Sequence, residues 1–207
     1  PPKEFLYKTF NDAFVYFQPK DIVSGDFYWV KKWRKSIFLA VIDCTGHGVP
    51  GALMSITGHY GLYEAVIQKK LKRPDQILAS LDTSVRKSLK TKGDSISDGM
   101  DIALCNYNPA NKKIQYAGAY NPLLIIREGE LIKLAGDKHS IGSIIYKNIP
   151  FSNHEFQLIK GDSVYVFSDG FEDQFGGKRD KRYQRKRFYK YLIEIAKSNP
   201  KEKHELL

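Results

Sequence analysis

The sequence predicts an α+β fold, an antiparallel β-sandwich flanked by α-helices. Strand-like segments follow one another through short turns, and the helix-like segments are grouped instead of alternating with strands. The 207 residues are 42% hydrophobic and 13% aromatic, enough apolar surface for a large core.

Residues 14–17, 27–33 and 36–42 are rich in aromatic and β-branched side chains and read as strands. The period then changes. Over 51–67, Ala52, Leu53, Ile56, Tyr60, Tyr63, Val66 and Ile67 recur at three and four, the stripe of a helix packed on a sheet. Ser55, Gly58 and Gly61 would let that helix approach a neighbour closely. Pro74 and Asp75 suit the first turn of a second helix, whose stripe is Ile77, Leu78, Leu81, Val85 and Leu89. After a polar loop at 91–98, strands return at 101–107 and 113–118, joined by Asn108-Pro109-Ala110-Asn111. Segments 123–126 and 130–134 flank Arg127-Glu128-Gly129, a hairpin connection in which glycine supplies positive φ. Two further strands, 154–159 and 163–167, surround Lys160-Gly161-Asp162, and a helix over 186–197 follows. No repeat, low-complexity tract or linker interrupts this order, which predicts one domain over 1–207.

No apolar run approaches the roughly 20 residues that cross a bilayer, so no direct membrane contact is expected of this domain. Cys44 and Cys105 lie in apolar runs without paired spacing and read as reduced, packed thiols of a cytoplasmic domain. The opening Pro1-Pro2-Lys3-Glu4 is neither a signal peptide nor a natural start, which predicts a fragment of a larger membrane or multidomain sensor. The formal charge of +10 admits an acidic partner. Its excess is local: Lys178, Arg179, Lys181, Arg182, Arg185, Lys186, Arg187 and Lys190 crowd one segment, which reads as a solvated basic face. Only Tyr183, Phe188 and Tyr189 accompany these charges, too few stacking rings for a nucleic-acid binder.

The stretch Val41-Ile-Asp-Cys-Thr-Gly-His-Gly-Val-Pro-Gly-Ala-Leu53 contains G-x-G-x-x-G. A dinucleotide fold also needs strand–helix–strand crossovers and an acidic residue about 20 positions on. Residues 69–73 are basic and lead into another helix, and no Lys follows Gly51 as a phosphate-binding loop requires. The chemistry then falls to Asp43, which ends an apolar strand before glycines that let main-chain carbonyls face its carboxylate. Asp26, in Ser24-Gly25-Asp26, precedes a strand, and Asp169, in Ser168-Asp169-Gly170, ends another. Each alone suits a cap or turn. Gathered at one edge of a sandwich, the three would repel one another unless cations lay between them, and magnesium or manganese prefers such oxygen ligands.

Five segments carry a resemblance: Pro19-Lys-Asp-Ile-Val-Ser-Gly-Asp-Phe-Tyr28, Asp43-Cys-Thr-Gly-His-Gly-Val-Pro-Gly-Ala52, Asp98-Gly-Met-Asp-Ile-Ala103, Tyr116-Ala-Gly-Ala-Tyr-Asn-Pro122 and Phe167-Ser-Asp-Gly-Phe171. Over about residues 14–177 the chain resembles the SpoIIE-like bacterial branch of the metal-dependent (PPM-type) protein serine/threonine phosphatases. The resemblance implies hydrolysis of phosphoserine or phosphothreonine by a water activated between two manganese or magnesium ions. It implies that Asp43 bridges the ions, with the Cys44 carbonyl, Asp26 and Asp169 as further ligands. Asp101 and Gly170 would support them, Asp101 being a further ligand or a turn residue. His47 is a leaving-group acid or a loop-ordering residue, since it stands two positions farther from Asp43 than in the D-G-H-G form. The implied partner is a phosphoprotein, with an anti-anti-sigma-type (STAS) protein as the candidate, and the helix pair is associated with switching in this branch. The family's C-terminal strand with an Asp-Asp-x-Thr-type motif has no counterpart before Leu207, which predicts a domain short at its C-terminus and leaves its N-terminal completeness open. The alternative is a catalytically weak or inactive signalling scaffold that binds a regulatory partner.

Overall fold

The computed structural model describes residues 3–10, 12–19, 22–46, 48–89, 99–176 and 180–197. Its first half runs α1 (Lys3–Thr9), β1 (Phe27–Trp33), β2 (Ser36–Cys44), α2 (Gly48–Tyr63), a π-helical turn (Glu64–Gln68) and α3 (Pro74–Leu89). The second half runs β3 (Met100–Asn108), β4 (Lys113–Ala119), β5 (Leu123–Arg127), β6 (Glu130–Leu134), β7 (His154–Gln157), β8 (Ser163–Tyr165), β9 (Phe175–Gly176), β10 (Lys181–Arg182) and α4 (Arg185–Ile195).

Two antiparallel sheets stack face to face, as expected. One has the order β1-β2-β3-β4-β7 and the other β6-β5-β8, while β9 and β10 pair as a short ribbon. Period-two alternation sorts the large sheet's side chains. Phe38, Ala40, Ile42, Ile102 and Leu104 face α2 and α3, meeting Leu62, Val66, Leu78 and Leu81. Ala103, Cys105 and Tyr116 face the second sheet and meet Leu123 and Ile125. The outer side of that sheet, through Leu124 and Ile126, packs on Phe188, Leu192 and Ile195 of α4. Strand β5 is therefore covered on both faces, which explains its unbroken apolar run Leu-Leu-Ile-Ile. The β5–β6 hairpin turns through Glu128 and Gly129, both at positive φ (53° and 87°), as a tight right-twisted hairpin requires. Among the described residues, no helix is long and apolar enough to cross a membrane.

Several expectations need correction. Residues 14–17 form no strand; Phe14, Tyr16 and Phe17 instead set their rings against Tyr165, Phe171 and Tyr28 at 6.4, 6.1 and 5.9 Å. Ring packing, rather than a ladder, accounts for their aromatic character. Strand β7 stops at Gln157 because Asp162 captures the backbone beyond it: its carboxylate accepts from Ile159 N at 2.9 Å and from both Nε and Nη2 of Arg127. Strand β8 likewise stops at Tyr165. The first helix begins at Gly48 instead of 51 and the last spans 185–195. Helix α1 and the β9–β10 ribbon carried no recognisable pattern, and the loop at 91–98 lies outside the described residues.

The largest correction concerns α2. Four members of its expected core stripe face outward: Leu53, Ile56, Tyr60 and Tyr63 are exposed, Ile56 by 65%, while Gly51, Met54, Gly58, Gly61 and Leu62 are buried; only at the end of the stripe do Val66 and Ile67 turn to the core as expected. Bulk supplied by neighbours explains the inversion. A Cβ at Gly58 would stand 3.1 Å from Phe27 Cζ and 3.2 Å from Met100 Sδ, so the glycine face is already filled from the sheet. Periodicity cannot distinguish two apolar faces when one is apolar by virtue of small residues.

Core and surface substitutions on α2 should therefore differ sharply. Leu62→Ala is expected to cost about 2–5 kcal/mol, and Ile56→Gln within about 0.5 kcal/mol of zero, measured by urea unfolding. A large loss from Ile56→Gln would restore the inward stripe.

Candidate active site

Strand register creates the site. The pair Phe27↔Ile42, continued one step, sets Asp26 beside Asp43, and Asp43 is itself paired with Asp101. Because Phe27, Ile42 and Ile102 enter the helix-covered layer, alternation sends the three aspartates to the other side, toward the second sheet. Asp169 comes from that sheet, four residues beyond the end of β8.

The carboxylates meet. Asp26 and Asp169 act directly on Asp43, whose carboxyl is pushed up to about 8, first by burial and then by the negative charge of those two neighbours. A proton on Asp43 relieves that repulsion, and the raised carboxyl keeps it to a higher pH than an ordinary aspartate would. Ser168 Oγ donates to Asp26 Oδ2 at 2.8 Å, and Asp26 N donates to Ser24 Oγ at 3.1 Å. Burial also raises the Asp101 carboxyl, helped by Asp169 and opposed by the Ser140 hydroxyl, which donates at 2.6 Å. Gly170 lies over the group: a Cβ there would stand 3.9 Å from Asp26 Oδ2.

The glycine motif now has its structural reason. A Cβ at Gly51 would fall 2.5 Å from the Gly46 carbonyl and 3.2 Å from Gly25 Cα. One at Gly25 would fall 2.9 Å from the Gly46 carbonyl and 3.0 Å from the Cys44 carbonyl. Three backbone segments are packed against one another beside Asp43, and only glycine permits it. Thr45 clamps the same loop to the start of β3, its amide donating to Gly99 O at 3.0 Å and its hydroxyl accepting from Gly99 N at 2.9 Å. Burial, then Asp43 and Asp26, pushes the Cys44 thiol up to about 12, and burial alone does the same to Cys105. Neither is a thiolate near neutral pH.

Among the described residues, no three carboxylate, imidazole or thiol groups form a preformed metal cage. The donor set still fits a hard divalent cation: it is all oxygen, strongly anionic and partly buried. The structure thus gathers Asp26, Asp43, Asp101 and Asp169, sets Gly170 over them and packs the Cys44 carbonyl on Gly25. His47 lies outside the described residues. Sequence reading passed over Ser140 and Ser168 as supports. Ser168 adjoins Asp169 in the motif, whereas nothing local marks Ser140, 39 residues from its partner.

Residues 34–207 match the family described as stage II sporulation protein E (SpoIIE). The chain belongs to the SpoIIE family. Among its relatives, phosphoserine phosphatase RsbU of Bacillus subtilis (strain 168) is 25% identical over 153 residues, covering 73% of this chain and 44% of RsbU. The chain thus spans less than half of that curated relative. The SiaA-PP2C domain of Pseudomonas aeruginosa superposes with a TM-score of 0.88 at 29% identity, over 99% of this chain and 80% of that one. The PP2C phosphatase domain with a regulatory-domain fragment of SpoIIE from Bacillus subtilis gives 0.67 at 19% identity, over 90% of this chain and 51% of that one, a likeness of fold. This SpoIIE-family chain therefore has the fold of the PP2C-type phosphatase domains it superposes on.

Asp43 also sets a pH dependence. Its carboxyl rises from an ordinary 3.8 to about 8 in the folded chain. Between those values the folded state holds a proton that the unfolded chain has released, so stability is greatest at the acid end and declines as pH rises through the window. In excess chelator, the urea midpoint of the wild type should fall from about pH 5 to about pH 8 relative to that of Asp43→Asn. Parallel profiles would remove the raised carboxyl.

Proposed function

We propose that the chain hydrolyses phosphoserine or phosphothreonine in a partner protein by metal-assisted attack of water. The carrying observation is the convergence of Asp26 and Asp43, set side by side by the β1–β2 register, with Asp169 from more than 120 residues farther along the chain, both neighbours acting on the Asp43 carboxyl. Asp43, Asp26, Asp169 and the Cys44 carbonyl would hold the ions, with Asp101 beside them. Two magnesium or manganese ions, when bound, would lower the pKa of water and neutralise charge on both the attacking and leaving oxygens of an in-line displacement.

The chain's own groups have definite tasks in this reading. Asp43 would have to release its proton to serve as an anionic ligand, which would tie occupancy of the site to pH. Ser168 orients Asp26 and Ser140 orients Asp101 through the hydrogen bonds described, so both carboxylates are aimed before substrate arrives. Water oxygen bonds to phosphorus, the phosphorus–ester bond breaks, and the side-chain hydroxyl and inorganic phosphate leave. The thiols of Cys44 and Cys105, buried and held protonated, take no part as nucleophiles.

The name of RsbU supports a phosphoserine substrate, and an anti-anti-sigma-type protein is the proposed carrier of it. Manganese-dependent hydrolysis of p-nitrophenyl phosphate should be detectable and should fall at least a hundredfold in Asp43→Asn. A rate indifferent to chelator would overturn the reading, and no hydrolysis with either metal would leave the scaffold alternative.

A further inference from the structure

The basic segment at the end of the described chain has a defined place. Phe167 and Phe171 flank Asp169 at two residues on either side, and both rings pack on Phe188 of α4, at 5.1 and 4.7 Å. Helix α4 is thereby fixed beside the aspartate cluster. Its buried side is Phe188, Leu192 and Ile195, so Lys186, Arg187 and Lys190 stand on the exposed side.

Arg185 and Arg182 join that face to the site. The buried Glu172 carboxylate, three residues past Asp169, accepts from Arg185 through both Nε and Nη2. Arg182 Nη1 lies 3.3 Å from Asp173 Oδ1. Both arginines spend part of their donor fork on these carboxylates and remain about half exposed, 51% and 54%. Together with Gln184 they line an open cavity of about 440 Å³. A second hollow, of about 360 Å³, continues along the helix between Arg187, Lys190 and Glu194. Six exposed cations (Lys181, Arg182, Arg185, Lys186, Arg187 and Lys190) outnumber four acids (Glu172, Asp173, Asp180 and Glu194), an excess of two positive charges on one wall.

Resting on the phosphatase reading, we infer that this wall docks the acidic residues flanking the phosphorylated side chain of a protein substrate. Charge complementarity argues for that occupant. Arginine forks with free N–H groups match carboxylates, and a positive rim beside an anionic site offsets its repulsion of an acidic substrate. The surface is poorly suited to nucleic acid. Interleaved Glu172, Asp173 and Glu194 would oppose a continuous phosphate backbone, and the rings are occupied: Phe188 is buried and the Arg187 guanidinium covers Tyr183 at 4.6 Å.

The test compares two labelled phosphoserine peptides of equal length, one flanked by Asp and Glu and one by Lys, by fluorescence anisotropy in chelator. Wild type should bind the acidic peptide at least tenfold tighter, with the preference shrinking as salt rises. It should be lost in Lys186→Glu/Arg187→Glu/Lys190→Glu and weakened in the corresponding triple Gln variant, which keeps the helix neutral if charge reversal unfolds it. Equal binding of the two peptides, a preference untouched in both triple variants, or displacement by oligothymidylate more readily than by acidic peptide would each overturn the inference. Manganese-dependent hydrolysis of p-nitrophenyl phosphate, followed in parallel, reports on the catalytic reading alone, because these three residues lie outside the aspartate cluster.

Discussion

Like charges held together at one end of a β-sandwich are the constraint on which the rest of this structure depends. Four aspartates stand where three strands of one sheet and the chain leaving the other sheet converge. In water their repulsion would drive them apart. Here the strand register holds Asp26, Asp43 and Asp101 in a row, and the packing of the two sheets brings Asp169 to meet them. The apolar layers stabilise an arrangement that electrostatics opposes, and a proton on Asp43 relieves part of the conflict. Cations would relieve it further. A site whose acidic groups repel one another until charge is supplied is therefore sensitive to pH through Asp43.

The surroundings serve that arrangement locally. Gly25, Gly46 and Gly51 permit three backbone segments to touch, and Thr45 ties the same loop to β3. Phe167 and Phe171 grip Phe188 on both sides of Asp169, so the last helix is positioned by the residues that present the last carboxylate. The basic wall is thus not an isolated charged face. It is placed by the same aromatic contacts that shape the site, which gives a physical reason for reading the two together.

Helix α2 shows how close packing can invert an amphipathic pattern. Its glycine face lies against Phe27, Met100 and Leu81, which project into the space that side chains of the helix would otherwise fill. The bulky residues are left outside. Ser55 Oγ, donating to Ser24 O at 3.3 Å, links this helix to the loop before Asp26. A displacement of α2 would consequently be felt at the first of the converging aspartates.

Much was legible in the sequence itself. Alternating and continuous apolar runs located most of the strands, Pro74 and the stripe after it located α3, and Glu128-Gly129 marked the hairpin, because these signals depend on local backbone geometry. Asp26, Asp43, Asp101 and Asp169 stood out for a related reason: each sits at a strand end or, for Asp169, in the turn shortly after one, in a motif that resembles a known family. Other features belong to tertiary structure alone. The inward face of α2, the aromatic docking of residues 14–17, the serines that orient Asp26 and Asp101, and the nearness of the basic wall to Asp169 all depend on partners dozens of residues away. Local pattern can say which side chains are apolar or charged; only packing decides what they face.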